Sequence, residues 1–384
     1  MAVHRAADPI HHCRSEEKHM NPHFSLKKII SVGAVACAAL LPVTEAAAQK
    51  VNFAGKRILV TVPFAPGGGS DVYIRALQPF LEKHLPGNPT IIVLNVPGSR
   101  SIPGANRFQE RAVADGTHAI VISATTVGSF VFQRSKVDFQ LDKWIPVLLS
   151  PQGAVVYANP GLGLKGPSDI PKLKGQSLVF GGQNANSGEA RTVISFELLG
   201  LKPRYVWGMN RGPVRLAFER NELNINYDSM PGYQGAASKL VKAGKAVPLY
   251  SMGITDTKGT LVRDPNTPEL PHVGEAYELM FGKKPSGPAF DAWQSVNKMM
   301  TMLNKGIFLP AGTPKPIVDA WRTAITNVLK DPEFEKKAGQ IIEGYPQFIG
   351  DAATPIIRDA TSFKPEAKAW LKNYFKTDHN VTID

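Results

Sequence analysis

The stretch running Ile58–Leu59–Val60–Thr61–Val62–Pro63–Phe64–Ala65–Pro66–Gly67–Gly68–Gly69–Ser70–Asp71 constrains this chain more than any other. Ile58 to Val62 reads as a buried strand, ended by Pro63 and Pro66, and the three glycines let the backbone turn without a Cβ penalty. Ser70 then reads as the N-cap of a helix whose apolar positions Ile74, Leu77, Leu81 and Leu85 keep helical spacing. Pro86–Gly87 stops it. A strand, a glycine turn and a helix start present free N–H groups and a positive dipole end at one point, which suits a carboxylate or phosphate. A glycine turn can also serve packing alone, and at this level both readings stand.

What precedes Gln49 reads as a leader rather than as fold. From Met20 the order is Lys27–Lys28, an apolar run from Ile29 to Leu41, then Glu45–Ala46–Ala47–Ala48–Gln49. That is the order of a secretory signal peptide, with cleavage expected between Ala48 and Gln49. The run of 13 residues is too short to span a bilayer. Residues 1–19 are either a mis-assigned start or an unusual basic region. Cys13 and Cys37 are the chain's two cysteines and both fall here, so an exported protein would have neither disulfide nor thiolate chemistry. Ala34–Val35–Ala36–Cys37 resembles a lipoprotein attachment site only weakly, and the apolar run continues past it.

Five Lys/Arg and four Asp/Glu lie before Gln49, so the formal charge of +12 becomes +11 afterwards. The basic residues are dispersed, with no zinc-finger spacing and no aromatic-basic interleaving, which argues against a nucleic-acid module and for attraction of acidic solutes. The 336 residues after Ala48 exceed one comfortable core, so two lobes are expected.

Strands at Thr90–Leu94 and Ala119–Ser123 alternate with helices after the first turn, which argues for a mostly parallel sheet. Ligands in such sheets sit beyond the carboxyl ends of the strands, where the first turn and Ala124–Thr125–Thr126–Val127–Gly128–Ser129 would meet. Val147–Leu149, Pro151–Gln152–Gly153 and Val155–Tyr157 read as a crossing into a second lobe, and Val247–Gly253 as the return. Between them the opening arrangement recurs twice. Leu178–Gly181 leads through Gly182–Gly188 into a helix from Glu189 to Leu199, and Leu223–Tyr227 leads through Asp228–Gly232 into another. Ile307–Leu309 reads as a strand, and Thr313–Pro314 as the start of a helix with Val318, Trp321, Ile325 and Val328 buried. The resulting partition is 49–152 with 252–384 as lobe 1 and 153–251 as lobe 2, an α/β chain with a cleft between lobes joined by two crossing strands.

Enzymatic constellations are missing around that cleft. Gly67–Gly69 lacks the Lys-Ser/Thr ending and the G-x-G-x-x-G order of nucleotide loops, and Ser70 is not followed by glycine as in a nucleophile elbow. Ser295-x-x-Lys298 matches one element of a penicillin-binding site without its companions. His84, His118, His272 and His379 are scattered, with no metal-ligand spacing. No catalytic residue, metal site or cofactor is therefore expected. A lining of Ser, Thr, Asn, Gln and glycine N–H groups holds a solute without transforming it.

These residues resemble the solute receptors of tripartite tricarboxylate transporters, the Bug-type receptors, over nearly all of 55–345. The matches are Val62 to Asp71, Asn95–Val96–Pro97–Gly98, Asp115–Gly116–Thr117, Leu270–Pro271–His272–Val273 with Glu275–Ala276, and Pro310–Ala311–Gly312–Thr313–Pro314. The resemblance implies a type II periplasmic binding-protein fold, closing on a small carboxylate-bearing molecule, periplasmic, monomeric and paired with a two-component membrane permease. It implies one carboxylate at Phe64, Ala65, Gly67, Gly68, Gly69, Ser70 and Asp71, held through backbone amides and water. It implies the distal end at Gln183, Asn184 and Ser187, with Ser123, Thr125, Thr126 and Asp228 nearby. Asp71 has the wrong charge to face that carboxylate and is expected to point aside, support the turn or act through water. The chain departs from the family at Arg191, near where a histidine is common, at Asn224–Ile225–Asn226–Tyr227–Asp228, and at Met209–Asn210–Arg211–Gly212, where Gly-Gly is common. Arg191 either pairs with a second carboxylate or is an exposed helix arginine. The alternatives to transport are a ligand-presenting receptor for a membrane sensor, an anion-processing enzyme, and a surface adhesion or scaffold protein.

Overall fold

Short apolar runs separated by helical stretches build two main sheets in the computed structural model, which describes residues 50–256, 260–342 and 344–384. Two two-stranded pairs accompany them, Val179–Gly181 with Arg204–Val206 and Ile254–Thr255 with Leu261–Val262. The leader, its cleavage site and both cysteines lie outside the described residues. The first run of elements is β1 (Arg57–Val62), α1 (Gly69–His84), β2 (Thr90–Asn95), α2 (Ile102–Arg111), β3 (His118–Ser123), α3 (Ala124–Phe132) and β4 (Ile145–Ser150). Then come β5 (Ala154–Ala158), β6 (Val179–Gly181), α4 (Ala190–Leu198), β7 (Arg204–Val206), α5 (Arg211–Glu219) and β8 (Ile225–Ser229). A continuous helical stretch follows: α6 (Met230–Gly232), a π-turn over Tyr233–Ala237, and α7 (Ser238–Lys242), ahead of β9 (Val247–Ser251). The remainder is a ribbon of β10 (Ile254–Thr255) and β11 (Leu261–Val262), then α8 (Val273–Phe281), α9 (Pro288–Met302), β12 (Lys305–Leu309), α10 (Lys315–Leu329), α11 (Pro332–Ala338), α12 (Ala353–Thr361) and α13 (Pro365–His379).

The first sheet has the order β2-β1-β3-β12-β4, with β1 parallel to β2 and β3 and the late strand β12 inserted antiparallel between β3 and β4. Ile58, Val60 and Val62 alternate into the core under α1, whose Tyr73, Ile74, Leu77, Phe80 and Leu81 form the matching buried stripe. The second sheet, β8-β5-β9, is antiparallel throughout. The α10 stripe Val318, Trp321, Ile325 and Val328 is buried as its spacing predicts.

Three local expectations are corrected. Helix α1 starts two residues earlier than the serine cap implies: extended Gly68 is the cap, without a side-chain bond, and Ser70 sits inside the first turn. Ala124–Ser129 is the start of α3 rather than a loop, because Ser123 and Thr126 close a reciprocal capping box. Thr313 does not cap α10; its hydroxyl donates to Pro310 O at 2.8 Å and Pro314 precedes the helix.

The return differs as well. Val247–Ser251 carries fully buried Leu249 and Tyr250 and completes the second sheet as β9. Ser251 then bridges to His272, and α8 packs on the segment Pro167–Leu173. The chain rejoins the first sheet only at β12, after α9. A boundary at 252 therefore falls inside a stretch still packed on the second sheet's side. Helix α13 packs on α9, while its Tyr374 hydroxyl donates to Val193 O of α4 at 3.2 Å.

Candidate functional site

The carboxyl ends of β1 and β3 point the same way, and each runs into a helix N-terminus. After β1 the turn closes with Gly68 N donating to Ala65 O at 3.2 Å. Gly67 has φ +75°, a left-handed conformation that favours glycine. Its N–H donates to Asp71 Oδ2 at 2.8 Å, and the same carboxylate accepts from Asn95 Nδ2 and Arg75 Nε, both at 3.0 Å. Burial works against the Asp71 charge, but Arg75, the Gly67 N–H and Asn95 outweigh it and hold the carboxyl below its usual range. Asp71 thus clamps the turn from behind. The first N–H groups of α1, at Gly69 and Ser70, have no carbonyl one turn back to bond. After β3, Ser123 Oγ accepts from Thr125 N at 3.1 Å and Ser123 N donates to Thr126 Oγ1 at 3.2 Å, which orients the second helix start.

A cavity of about 540 Å³ opens in front of both helix starts. Phe64 to Ser70, Ser123 and Thr125 form one wall, and Gln183, Gly188, Glu189, Asn210–Pro213, Arg215, Tyr227 and Ser229 form the other. Lys305 reaches it from β12. That volume accommodates a small solute.

The far wall is an ionic lattice. Arg215 Nε donates to both oxygens of Asp228 at 3.0 Å. Arg211 lies 3.9 Å from Glu189 and 3.9 Å from Asp228, and its guanidinium sits 4.2 Å over the Tyr227 ring. Its Nη2 donates to Asn226 Oδ1 at 2.6 Å and to Tyr227 O, while Nε and Nη1 are buried with no acceptor. Burial, with Glu189 close by, raises the Tyr227 phenol above its ordinary value, so it stays protonated. The two arginines and two acids of this wall balance, Lys305 adds a third cation to the cavity, and two donors of Arg211 lack acceptors. Among the described residues no group of three or more potential metal ligands gathers, and no helix is long and apolar enough to cross a membrane.

Of the residues singled out from the sequence, Phe64, Ala65, Gly67, Gly68, Gly69, Ser70, Ser123, Thr125 and Gln183 come together on the cavity. Asp71, Thr126, Asn184, Ser187, Arg191 and Asp228 do not line it. Thr126 is spent on the capping box. Ser187 Oγ donates to Asn184 O at 3.0 Å and to Glu189. Asp228 also accepts from the Tyr157 hydroxyl at 2.9 Å. Arg191 is neither exposed nor on the cavity: it is 2 % exposed, donates to Thr301 Oγ1 at 2.9 Å, and sits behind the wall. Lys305, Arg211, Arg215 and Glu189 were not found by sequence reasoning. Only Arg211 carried a signal, as the intruder where the resembled family has Gly-Gly.

No family model matches the chain. A curated relative from a Pseudomonas species, described as the UPF0065 protein in the tcbD-tcbE intergenic region, is 25% identical over 342 residues, spanning 85% of this chain and 88% of its own. Among solved structures, the periplasmic binding protein BugD superposes with a TM-score of 0.59 at 18% identity, covering 84% of this chain and 98% of BugD. MatC from Rhodopseudomonas palustris, solved with bound malate, gives 0.58 at 21%, covering 82% and 97%. The fold is therefore that of periplasmic binding proteins, and its solved neighbours include the Bug-type proteins that the sequence motifs resemble.

Proposed function

We propose that this chain is an exported solute-binding receptor that captures a small carboxylate-bearing molecule in the cavity between its two sheets and hands it, without turnover, to a separate membrane transporter. The observation that carries the reading is the cavity itself: two helix N-termini, and an excess of cations, converge on a space the size of a small solute. The malate bound by MatC makes hydroxy- and dicarboxylates the first compounds to test. Transport by a two-component permease and a monomeric receptor complete the proposal.

A thermal-shift screen of malate, succinate, adipate and aromatic carboxylates tests capture. A true ligand at 100 times its dissociation constant stabilises the protein by about 2.7 kcal/mol. No shift with any carboxylate, or many rounds of product from one, rejects binding without turnover.

Gly69→Val locates the carboxylate. A Cβ at Gly69 meets nothing nearer than Lys305 Cε at 4.0 Å, and the residue is not left-handed, so the backbone accepts a side chain that projects toward the ligand. The expected result is a loss of about 1–3 kcal/mol in affinity with an unchanged circular dichroism spectrum. Unchanged affinity in the folded variant would place the ligand elsewhere.

Export is proposed to proceed by cleavage after Ala48. Protein recovered from the periplasm should begin at Gln49 on N-terminal sequencing. An intact, membrane-anchored chain contradicts this.

A further inference from the structure

Lys305 opens β12, paired across from Ser123 of β3 and Ser150 of β4. It is only 9 % exposed, and what remains accessible faces the cavity. Its Nζ donates to Asn304 O at 3.2 Å and Asn304 Oδ1 at 2.9 Å, which uses two of the three N–H groups of an ammonium. Among the described residues no carboxylate lies within ion-pairing reach of it. The charged group that acts on it is another cation, Arg191. Its Cε lies 4.0 Å from where a Cβ of Gly69 would stand, so the side chain runs beside the first residue of α1.

We propose that Lys305 is a specificity-determining residue: with the first N–H groups of α1 it forms the seat for one carboxylate, and it makes an anionic group at that end of the ligand obligatory. This rests on the carboxylate-binding reading above. The distribution of charge supports it. At the far wall Arg211 and Arg215 face Glu189 and Asp228 in equal number, whereas the Lys305 end has a cation with no counter-charge. An ammonium nine-tenths removed from water is costly unless an anion joins it. A ligand carboxylate supplies that anion and accepts the third N–H.

The same arrangement predicts how affinity follows pH. Burial, reinforced by Arg191, pushes the free lysine down to about 8. The ionisable groups around it are Arg191 of α4, Glu189, Arg211, Arg215 and Tyr227 on the far wall, and Tyr73 of α1, whose hydroxyl meets Ser150 Oγ at 2.6 Å. Burial raises both tyrosines far above neutrality, and Asp71 is turned away toward Arg75. A bound carboxylate raises the lysine, so affinity is level while the free protein already carries the ammonium. Above about pH 8 affinity falls, approaching tenfold per pH unit.

Calorimetry with malate, succinate and adipate at pH 6.5 and 9.5 tests this on wild type, Lys305→Met and Lys305→Arg. At pH 6.5 Lys305→Met should bind about 10- to 100-fold more weakly than wild type, as expected for loss of a hydrogen bond from a charged donor, and should lose the pH dependence. Lys305→Arg, which does not titrate in this range, should keep measurable affinity at both pH values. If wild type binds one of these dicarboxylates and Lys305→Met binds it equally at both pH values, the assignment to Lys305 is wrong and the carboxylate reading survives. If wild type binds none of them, both fall. Should Lys305→Met fail to fold, a Lys305→Arg variant that still weakens between pH 6.5 and 9.5 as wild type does rejects the assignment.

Discussion

Arg211→Met should weaken dicarboxylate binding by about 2–5 kcal/mol, the largest loss expected from any single change in the cavity. The methionine keeps much of the apolar contact with Tyr227 but removes the charge lying 3.9 Å from both Glu189 and Asp228. Those two carboxylates then face an incoming anion with Arg215 alone to offset them. The variant also removes Nε and Nη1, buried donors with no acceptor in the protein. Both atoms are shielded from the cavity, so the loss of ligand affinity comes from the missing charge. Isothermal titration of wild type and variant, with melting curves to confirm folding, measures the effect. A change of less than threefold in a folded variant would show that the ligand does not reach the far wall.

The contrast between Arg211 and Asp71 shows what the sequence could and could not reveal. Asp71 was legible because its constraints are local. Asp71 lies four residues beyond Gly67 in the first turn of α1, and its carboxylate accepts from the Gly67 N–H at 2.8 Å. The turn from Phe64 to Ser70 was legible for the same reason: strand, prolines, glycines and helix start are contiguous. Lys305 was invisible because its role depends on β12 being threaded between β3 and β4 long after both were made. The apolar run beginning at Ile307 gives no sign that the strand starts two residues earlier, at a lysine. Arg191 was left open between ligand partner and exposed arginine, since the positions around it, Val193, Ile194 and Phe196, are buried all round and leave no polar face to orient by. That Val247–Ser251 pairs with β5 was not legible either, because an edge strand such as β9 reads the same whether it completes one sheet or leads to another.

Trp293→Ala should lower stability to unfolding by about 3–5 kcal/mol, the range for emptying a fully buried tryptophan site. Trp293, Asn297 and Thr301 repeat at four-residue spacing and so share one face of α9. Each ties that helix to a distant part of the chain. The indole Nε1 donates to Arg191 O at 3.1 Å, Asn297 Nδ2 donates to Met252 O at 3.0 Å, and Thr301 Oγ1 accepts from Arg191 Nη1 at 2.9 Å. Truncating Trp293 leaves a cavity beside Phe290 and strips Arg191 O of that donor within the core. Since α9 runs directly into β12, its seating also fixes where Lys305 begins. The start of α1 belongs to a separate core cluster packed on α10, so the damage to ligand affinity should be smaller than the damage to stability. Urea denaturation with and without saturating ligand separates the two effects. A stability loss below about 1 kcal/mol would mean that α9 is not the joint between the two sheets that these three bonds make it.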